Sequence, residues 1–157
     1  MDYKDFIESK KQKLSESGFF VDDNKLNKNL FDFQKHIVKV ALRKGRFAIF
    51  ADCGLGKTLM QLSWASLVAD HTKKDVLILA PLAVVEQTKN EAKKFGISLK
   101  NITIINYEQL DNIDCGSFGG VVLDESSILK AYAGKTKAKI IQNFKSTPYK
   151  LACTATP

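Results

Sequence analysis

The sequence is most informative at Ala51-Asp52-Cys53-Gly54-Leu55-Gly56-Lys57-Thr58, a stretch between a short apolar run and a long helical pattern. Gly54 and Gly56 carry no side chain, so backbone amides there can converge on phosphate oxygens. Lys57 can reach the β and γ phosphates, and the Thr58 hydroxyl can ligate Mg²⁺ where a helix begins. We therefore predict a nucleotide-binding loop that departs from the usual pattern only at Ala51, in place of the first glycine. Its predicted contact residues are Cys53, Gly54, Leu55, Gly56, Lys57 and Thr58.

On both sides of this loop, short apolar runs rich in β-branched residues alternate with longer helical patterns. The runs are too continuously apolar to have one face in water. Strands that alternate with helices imply right-handed crossovers and a parallel sheet. We predict an α/β domain of three layers, with a mostly parallel central sheet and helices on both faces. The predicted strands are 47–50, 76–79, 102–105, 121–123 and 149–153, and the predicted helices 57–71, 84–95, 106–113 and 125–144, the last interrupted around 133–134.

The residues before the loop predict two further helices. Residues 2–17 are good helix formers, and Gly18 breaks their pattern. After a polar connector, apolar residues recur at helical spacing from Phe33 to Leu42, up to Gly45. We divide the chain into an N-terminal helix and connector, 1–29, and a nucleotide-binding domain, 30–157.

Composition places the chain among ordinary globular domains. Of its 157 residues, 45% are hydrophobic and 26% charged. A chain of this length can bury one core without disulfides or a structural metal. No apolar run approaches the roughly 18 residues that cross a membrane. The first residues lack the layout of a secretory signal, and three widely separated cysteines fit a reducing compartment. We expect a cytoplasmic protein that does not bind membranes.

The net charge of +7 favours a polyanionic partner such as nucleic acid. Lysine supplies nearly all of this charge, since Arg43 and Arg46 are the only arginines. A lysine-rich solvated surface would give the same balance, so charge alone leaves both interpretations open.

A pair of acids, Asp124-Glu125, follows the predicted strand 121–123. In a phosphate-loop enzyme, one carboxylate at a strand end holds Mg²⁺ through water and a second polarises the attacking water. Acids after an apolar run also mark helix N-termini. Because a phosphate loop lies upstream, we predict catalytic roles for Lys57, Asp124 and Glu125, with Thr58 and Asp124 at the metal.

Three segments together resemble motifs I, II and III of superfamily 2 helicases. They are residues 51–58, Asp124-Glu125-Ser126-Ser127 and Thr154-Ala155-Thr156-Pro157. More narrowly, residues 47–52, Leu79 to Val84, 106–108 and 124–130 resemble phage and prophage helicases of the Swi/Snf-like branch. The resemblance covers roughly residues 30 to 157 and implies the first RecA-like domain of an ATP-dependent helicase or DNA translocase.

The resemblance also implies residue roles. Gln34 matches the glutamine that reads the adenine edge, which would select ATP, although an amphipathic helix can carry a surface glutamine without such a role. Thr154 and Thr156 match the motif that couples the nucleotide site to nucleic acid. Pro81 and Leu82 match a motif that touches the nucleic-acid backbone.

Asn106 and Tyr107 match the next such motif. The alternative interpretations are that Pro81 merely ends a strand and that Tyr107 caps the core. Ser126 and Ser127 replace the usual last two residues of motif II, which alters how that motif contacts motif III.

In the family, a second RecA-like domain supplies arginines that stabilise the transferring phosphoryl group. Such an arginine is worth roughly 10³ to 10⁵ in rate, whereas Arg43 and Arg46 both precede the phosphate loop. We therefore expect a second domain, absent from this sequence, and weak hydrolysis by these residues alone.

The implied cofactors are ATP and Mg²⁺, and the implied partner is nucleic acid, with DNA favoured over RNA. The expected location is the cytoplasm of a bacterium or of a phage-infected bacterium. Two other functions stay open: a phosphate-loop module that binds DNA or a partner protein without turnover, and the motor subunit of a restriction enzyme.

Overall fold

A computed structural model describes residues 2–5, 17–50, 56–126 and 134–154, with backbone alone for 134–137. The helices after residue 30 are α1 (Asp32–Lys44), α2 (Lys57–Thr72), α3 (Leu82–Lys94) and α4 (Gly134–Asn143). The strands are β1 (Arg46–Phe50), β2 (Val76–Ala80), β3 (Ile102–Asn106), β4 (Gly120–Asp124) and β5 (Tyr149–Thr154). The five predicted strands are confirmed, each within one residue at either end.

The five strands form one sheet in the order β1-β5-β4-β2-β3, and every neighbouring pair is parallel. From β1 at one edge the chain crosses to β2 by way of α2, and it later returns through β4 and β5 to the place beside β1. The register pairs Asp124 with Cys153 and Phe50 with Thr154. The carboxyl ends of β1, β4 and β5 therefore lie side by side, where open parallel sheets bind ligands.

Buried side chains cover both faces of the sheet. On one face Trp64 and Val68 of α2 belong to a cluster with Ile78 and Val122, and α1 and α3 contribute to it. On the other face the side chains belong to a second cluster, which comprises Leu77, Leu79, Tyr107, Leu110, Phe118, Val121, Ile140 and Phe144. This arrangement confirms the predicted α/β domain of three layers.

A glycine at the start of β4 sets how closely α2 approaches the sheet. A Cβ on Gly120 would lie 3.0 Å from Val68 Cγ1 and 3.4 Å from Trp64 Cη2. Real Cβ contacts are rarely that short, so Gly120 allows α2 to pack tightly across β4. The close packing sets the distance between α2 and the amino end of β4.

Two predicted helices differ from the structure. Residues Tyr107–Asn112 form a 3₁₀-helix, which begins where the Asn106 side chain accepts a hydrogen bond from the backbone N–H of Gln109 at 3.0 Å. The segment after β4 does not begin as a helix, since Glu125 has a left-handed backbone with φ of 52°. Helix α4 begins at Gly134, and residues 127–133 lie outside the described ranges.

Of the predicted N-terminal helix, residues 3–5 are helical and 6–16 lie outside the described ranges. The connector after it packs on the first cluster through Leu26 and Leu30. Among the described residues, no helix combines the length and the apolar character that a membrane span requires.

Candidate active site

The side chain of Lys57 lies between the two acids predicted to be catalytic. Lys57 opens α2, and its ammonium forms ion pairs with Glu125 Oε1 and, at 3.3 Å, with Asp124 Oδ1. Burial lowers the pKa of Lys57, but hydrogen bonds and charge from Glu125 and Asp124 outweigh burial and leave that pKa above its usual value. The ammonium is therefore held in its charged form at the carboxyl end of the sheet.

The backbone that leads into α2 depends on a glycine. Gly56 has φ of 72°, in the left-handed region that side chains disfavour. A Cβ at this position would also collide with Gln34 Nε2. Gln34, a buried residue of α1, thus contacts the last glycine of the predicted phosphate loop, and its Oε1 accepts the backbone N–H of Phe31 at 2.8 Å.

Sequence reasoning missed one residue of this site, Gln61. Its Nε2 donates to Asp124 Oδ1 at 2.8 Å, and both side chains are buried. Gln61 follows Lys57 by four residues, so both lie on one face of α2. That spacing was the signal that could have identified Gln61. Because most residues of this helix are apolar, the sequence predicts a core helix and gives its glutamine no particular role.

The amide of Gln61 is only partly satisfied. Its Oε1 has no hydrogen-bond partner within the described part of the chain. A buried amide oxygen without a partner is costly. The first turn of α2 therefore presents a lysine cation and an unpaired carbonyl dipole beside Asp124, which is only 2% exposed.

Cys153 lies next to Asp124 in the sheet register and is fully buried. Burial raises the pKa of its thiol to about 12. Since the thiolate is the reactive form, this cysteine stays a neutral packing group near neutral pH.

The residues predicted to contact nucleic acid are divided between surface and core. Leu82 is 69% exposed, at the start of α3. Asn106 and Tyr107 are buried, and the Tyr107 hydroxyl donates to the backbone carbonyl of Asp124 at 2.7 Å. Pro81 is half-buried and immediately precedes Leu82. Their contacts with nucleic acid stay a prediction.

Two of the predicted threonines lie near the carboxyl edge of the sheet. Thr58 is the second residue of α2 and is half-buried, whereas Thr154 is buried at the end of β5. The structure thus gathers Lys57, Asp124 and Glu125, with Gln34 and Gly56 beside them. The other predicted site residues, Cys53, Gly54, Leu55 and Thr156, lie outside the described ranges.

Known proteins resemble the chain in sequence and in fold. The chain is 32% identical over 95 residues to reverse gyrase 1 of Aquifex aeolicus (strain VF5), a match that covers 60% of this chain and 8% of that protein. The UvsW helicase from bacteriophage T4 superposes with a TM-score of 0.69 at 18% identity, covering 99% of this chain and 61% of the other. The Sulfolobus solfataricus SWI2/SNF2 ATPase core, solved in complex with dsDNA, superposes with a TM-score of 0.67 at 21% identity.

The SWI2/SNF2 match covers 88% of this chain and 34% of the other, so the chain spans only part of the length of each of these relatives. The structural matches show a RecA-like α/β fold, in agreement with the predicted fold class. A family profile, ResIII (type III restriction enzyme, res subunit), matches residues 4–157. Because that profile spans nearly the whole sequence, the chain belongs to the ResIII family and is a helicase-family ATPase domain.

Proposed function

We propose that this domain binds ATP and Mg²⁺ and forms the first half of a motor that hydrolyses ATP in response to nucleic acid. The observation that supports this most directly is the ion-paired group of Lys57, Asp124 and Glu125 at the carboxyl end of the sheet. The ammonium of a lysine held between two carboxylates can form ion pairs with phosphate oxygens instead. The carboxylates are then free to bind metal and water.

In this proposal, ATP binding exchanges one ionic partner for another. Lys57 leaves Glu125 for the β and γ phosphates, and Glu125 then polarises the attacking water. Asp124 is held by Gln61 throughout, so its carboxylate keeps its direction. Gln34 would read the adenine edge, and its contact with Gly56 would link base recognition to the phosphate loop.

The residues of this site could hold Mg²⁺ with only one or two protein ligands. Within the described ranges there is no group of three or more His, Cys, Asp or Glu that could hold a metal. Mg²⁺ usually takes one or two protein oxygens together with waters and substrate phosphates. Asp124 and Thr58 would supply those oxygens, and the bound metal would neutralise charge on the phosphates.

The proposed track is nucleic acid, with DNA favoured over RNA. The chain carries a net charge of +7, and a structural relative was solved in complex with dsDNA. Exposed Leu82, with Pro81 before it, would face the track. A second RecA-like domain, in the same full-length protein, would supply the arginine that completes the catalytic site.

The proposal is tested by measuring ATP hydrolysis by the 157-residue chain and by the full-length protein. Each is measured without DNA, with duplex DNA and with single-stranded DNA. We expect the chain alone to bind ATP and turn it over weakly, and the full-length protein to be stimulated by DNA. Glu125→Gln should lower that turnover by at least about 100-fold and preserve ATP binding, since it removes only the group that polarises water. Full turnover by Glu125→Gln would contradict the role proposed for Glu125, and ATP binding without turnover by the wild-type full-length protein would favour a binding module.

The family description favours a second, narrower candidate, the motor subunit of a restriction enzyme. Its test is DNA cleavage by the full-length protein together with any co-purifying subunits. ATP-dependent cleavage that Lys57→Ala abolishes would support this candidate, and DNA-stimulated hydrolysis without cleavage would exclude it.

A further inference from the structure

A buried tyrosine hydroxyl contacts the peptide bond that joins the two acids of the site. Tyr107 donates to the carbonyl of Asp124 at 2.7 Å, and the ring is 5% exposed. That carbonyl belongs to the peptide bond whose nitrogen is that of Glu125. The hydroxyl therefore fixes the orientation of the peptide plane from which Glu125 extends.

The backbone of Glu125 needs such a constraint. Its φ of 52° lies in the left-handed region, which glutamate rarely adopts because Cβ approaches a carbonyl oxygen. Residues held in such conformations persist only where surrounding contacts stabilise them, and they are frequent at functional sites. Within the described ranges, the contacts on this turn include the hydroxyl of Tyr107 on the backbone and the ammonium of Lys57 on the side chain.

Tyr107 is itself held rigidly. It follows Asn106, the last residue of β3, and opens the 3₁₀-helix that the Asn106 side chain caps. Three residues later Leu110 packs in the second cluster, and Asp111 forms an ion pair with Lys139 of α4. The hydroxyl thus belongs to a unit fixed both to the sheet and to α4.

We propose that Tyr107 is a positioning residue for hydrolysis, one that aims Glu125 at the attacking water by holding the peptide bond between Asp124 and Glu125. The inference rests on the proposed ATPase activity. It assigns Tyr107 to the catalytic turn, whereas the sequence resemblance assigns it to the nucleic-acid track. A buried tyrosine hydroxyl needs a hydrogen-bond partner, and here that partner is the carbonyl between the two acids.

Tyr107→Phe in the full-length protein tests the assignment, because it removes the hydroxyl and retains the ring. We expect kcat for DNA-stimulated ATP hydrolysis to fall about tenfold, the effect of losing roughly one buried hydrogen bond. The KM for ATP and the affinity for a fluorescent ATP analogue should stay within about twofold. In the Glu125→Gln background the same change should have no further effect on single-turnover rates, since both substitutions disable one group.

The matched control is Tyr149→Phe, which likewise removes only the hydroxyl, here from a buried tyrosine at the amino end of β5. It should leave kcat unchanged. An unchanged kcat in Tyr107→Phe, an equal loss in the Glu125→Gln background, or lost binding of the ATP analogue would each overturn the inference. A wild-type protein without DNA-stimulated turnover would instead overturn the proposed function, so the two failures are distinguishable.

Discussion

The two ends of α2 contact the sheet through opposite kinds of chemistry. At the first turn, Lys57 and Gln61 meet the buried carboxylate of Asp124. At the last turn, the ring of His71 stacks on Phe19 with centroids 3.8 Å apart, and the ring of Tyr149 lies nearly perpendicular to that of His71 with centroids 6.0 Å apart. The charged groups at the start of α2 therefore need partners of opposite sign, whereas the aromatic rings at its end need complementary surfaces.

This difference has a physical cause. A buried charge costs several kcal/mol unless a partner of opposite sign and hydrogen bonds offset it. Aromatic contacts need complementary surfaces, and they tolerate substitutions that conserve side-chain volume. Changes near the first turn should therefore alter ligand binding, and changes farther along α2 should alter stability.

The largest effect is expected from Trp64→Ala, in the middle of α2. The Trp64 ring is fully buried against β4, so its removal should lower the free energy of unfolding by about 3–5 kcal/mol. Urea unfolding followed by circular dichroism measures the loss. Trp64→Phe, which keeps much of the ring volume, should cost less. A loss under about 1 kcal/mol for Trp64→Ala would show that packing is not what holds α2.

A large effect on binding is expected from Lys57→Ala. Charge-assisted hydrogen bonds to the phosphates are worth about 1.5–3 kcal/mol, so affinity for a fluorescent ATP analogue should fall roughly 10- to 100-fold. Lys73→Ala, just past the last turn of α2, is the matched control and should leave that affinity unchanged. Equal losses in the two variants would mean that the ends of α2 do not differ as proposed.

Alkaline pH should lower the free energy of unfolding because Cys153 is buried. Its folded-state pKa of about 12 exceeds the ordinary value of 9.0, so the folded state retains a proton that the unfolded state releases. Stability from this group is present below pH 9 and is lost above it at about 1.4 kcal/mol per pH unit. Unfolding of wild type and Cys153→Ala between pH 8 and pH 10.5 tests this, and the variant should show the shallower decline. Identical slopes would contradict it.

A smaller effect is expected from Gln61→Leu, which keeps the bulk of the side chain but removes the donor to Asp124. Without that hydrogen bond, Asp124 should be less well oriented, and the Mg²⁺ concentration needed for ATP-analogue binding should rise about fivefold. Mn²⁺ binding by electron paramagnetic resonance gives an independent measurement. Ser63→Ala, two residues along α2 and also buried, should change neither. If Gln61→Leu matches wild type, Gln61 only fills space.

Several features of the site were predictable from short segments. A lysine after a glycine, between a strand and a helix, indicates phosphate binding because the chemistry lies within a few residues. Asp124 and Glu125 follow an apolar strand, and strand ends are where such sheets bind ligands. The strands themselves were predictable, since both faces are buried and their apolar runs are continuous.

Other features depend on residues far apart in the sequence. Gln61 and Asp124 are 63 positions apart, and nothing local to α2 indicates that its glutamine meets an acid. The left-handed turn at Glu125 was also unexpected, because acids after a strand usually begin a helix. A tyrosine of another segment, which the sequence related to nucleic acid or to the core, donates a hydrogen bond to the backbone of this turn.

By itself the sequence determined the five strands and the superfamily and predicted the phosphate-binding loop, because propensity, apolar periodicity and motif spacing act over a few neighbouring residues. The tertiary structure decided which side chains surround Asp124. Strand order places β4 between β2 and β5, and the glycine at its start brings α2 close to it. Only that packing brings Lys57, Gln61 and Tyr107 to a single carboxylate and its backbone.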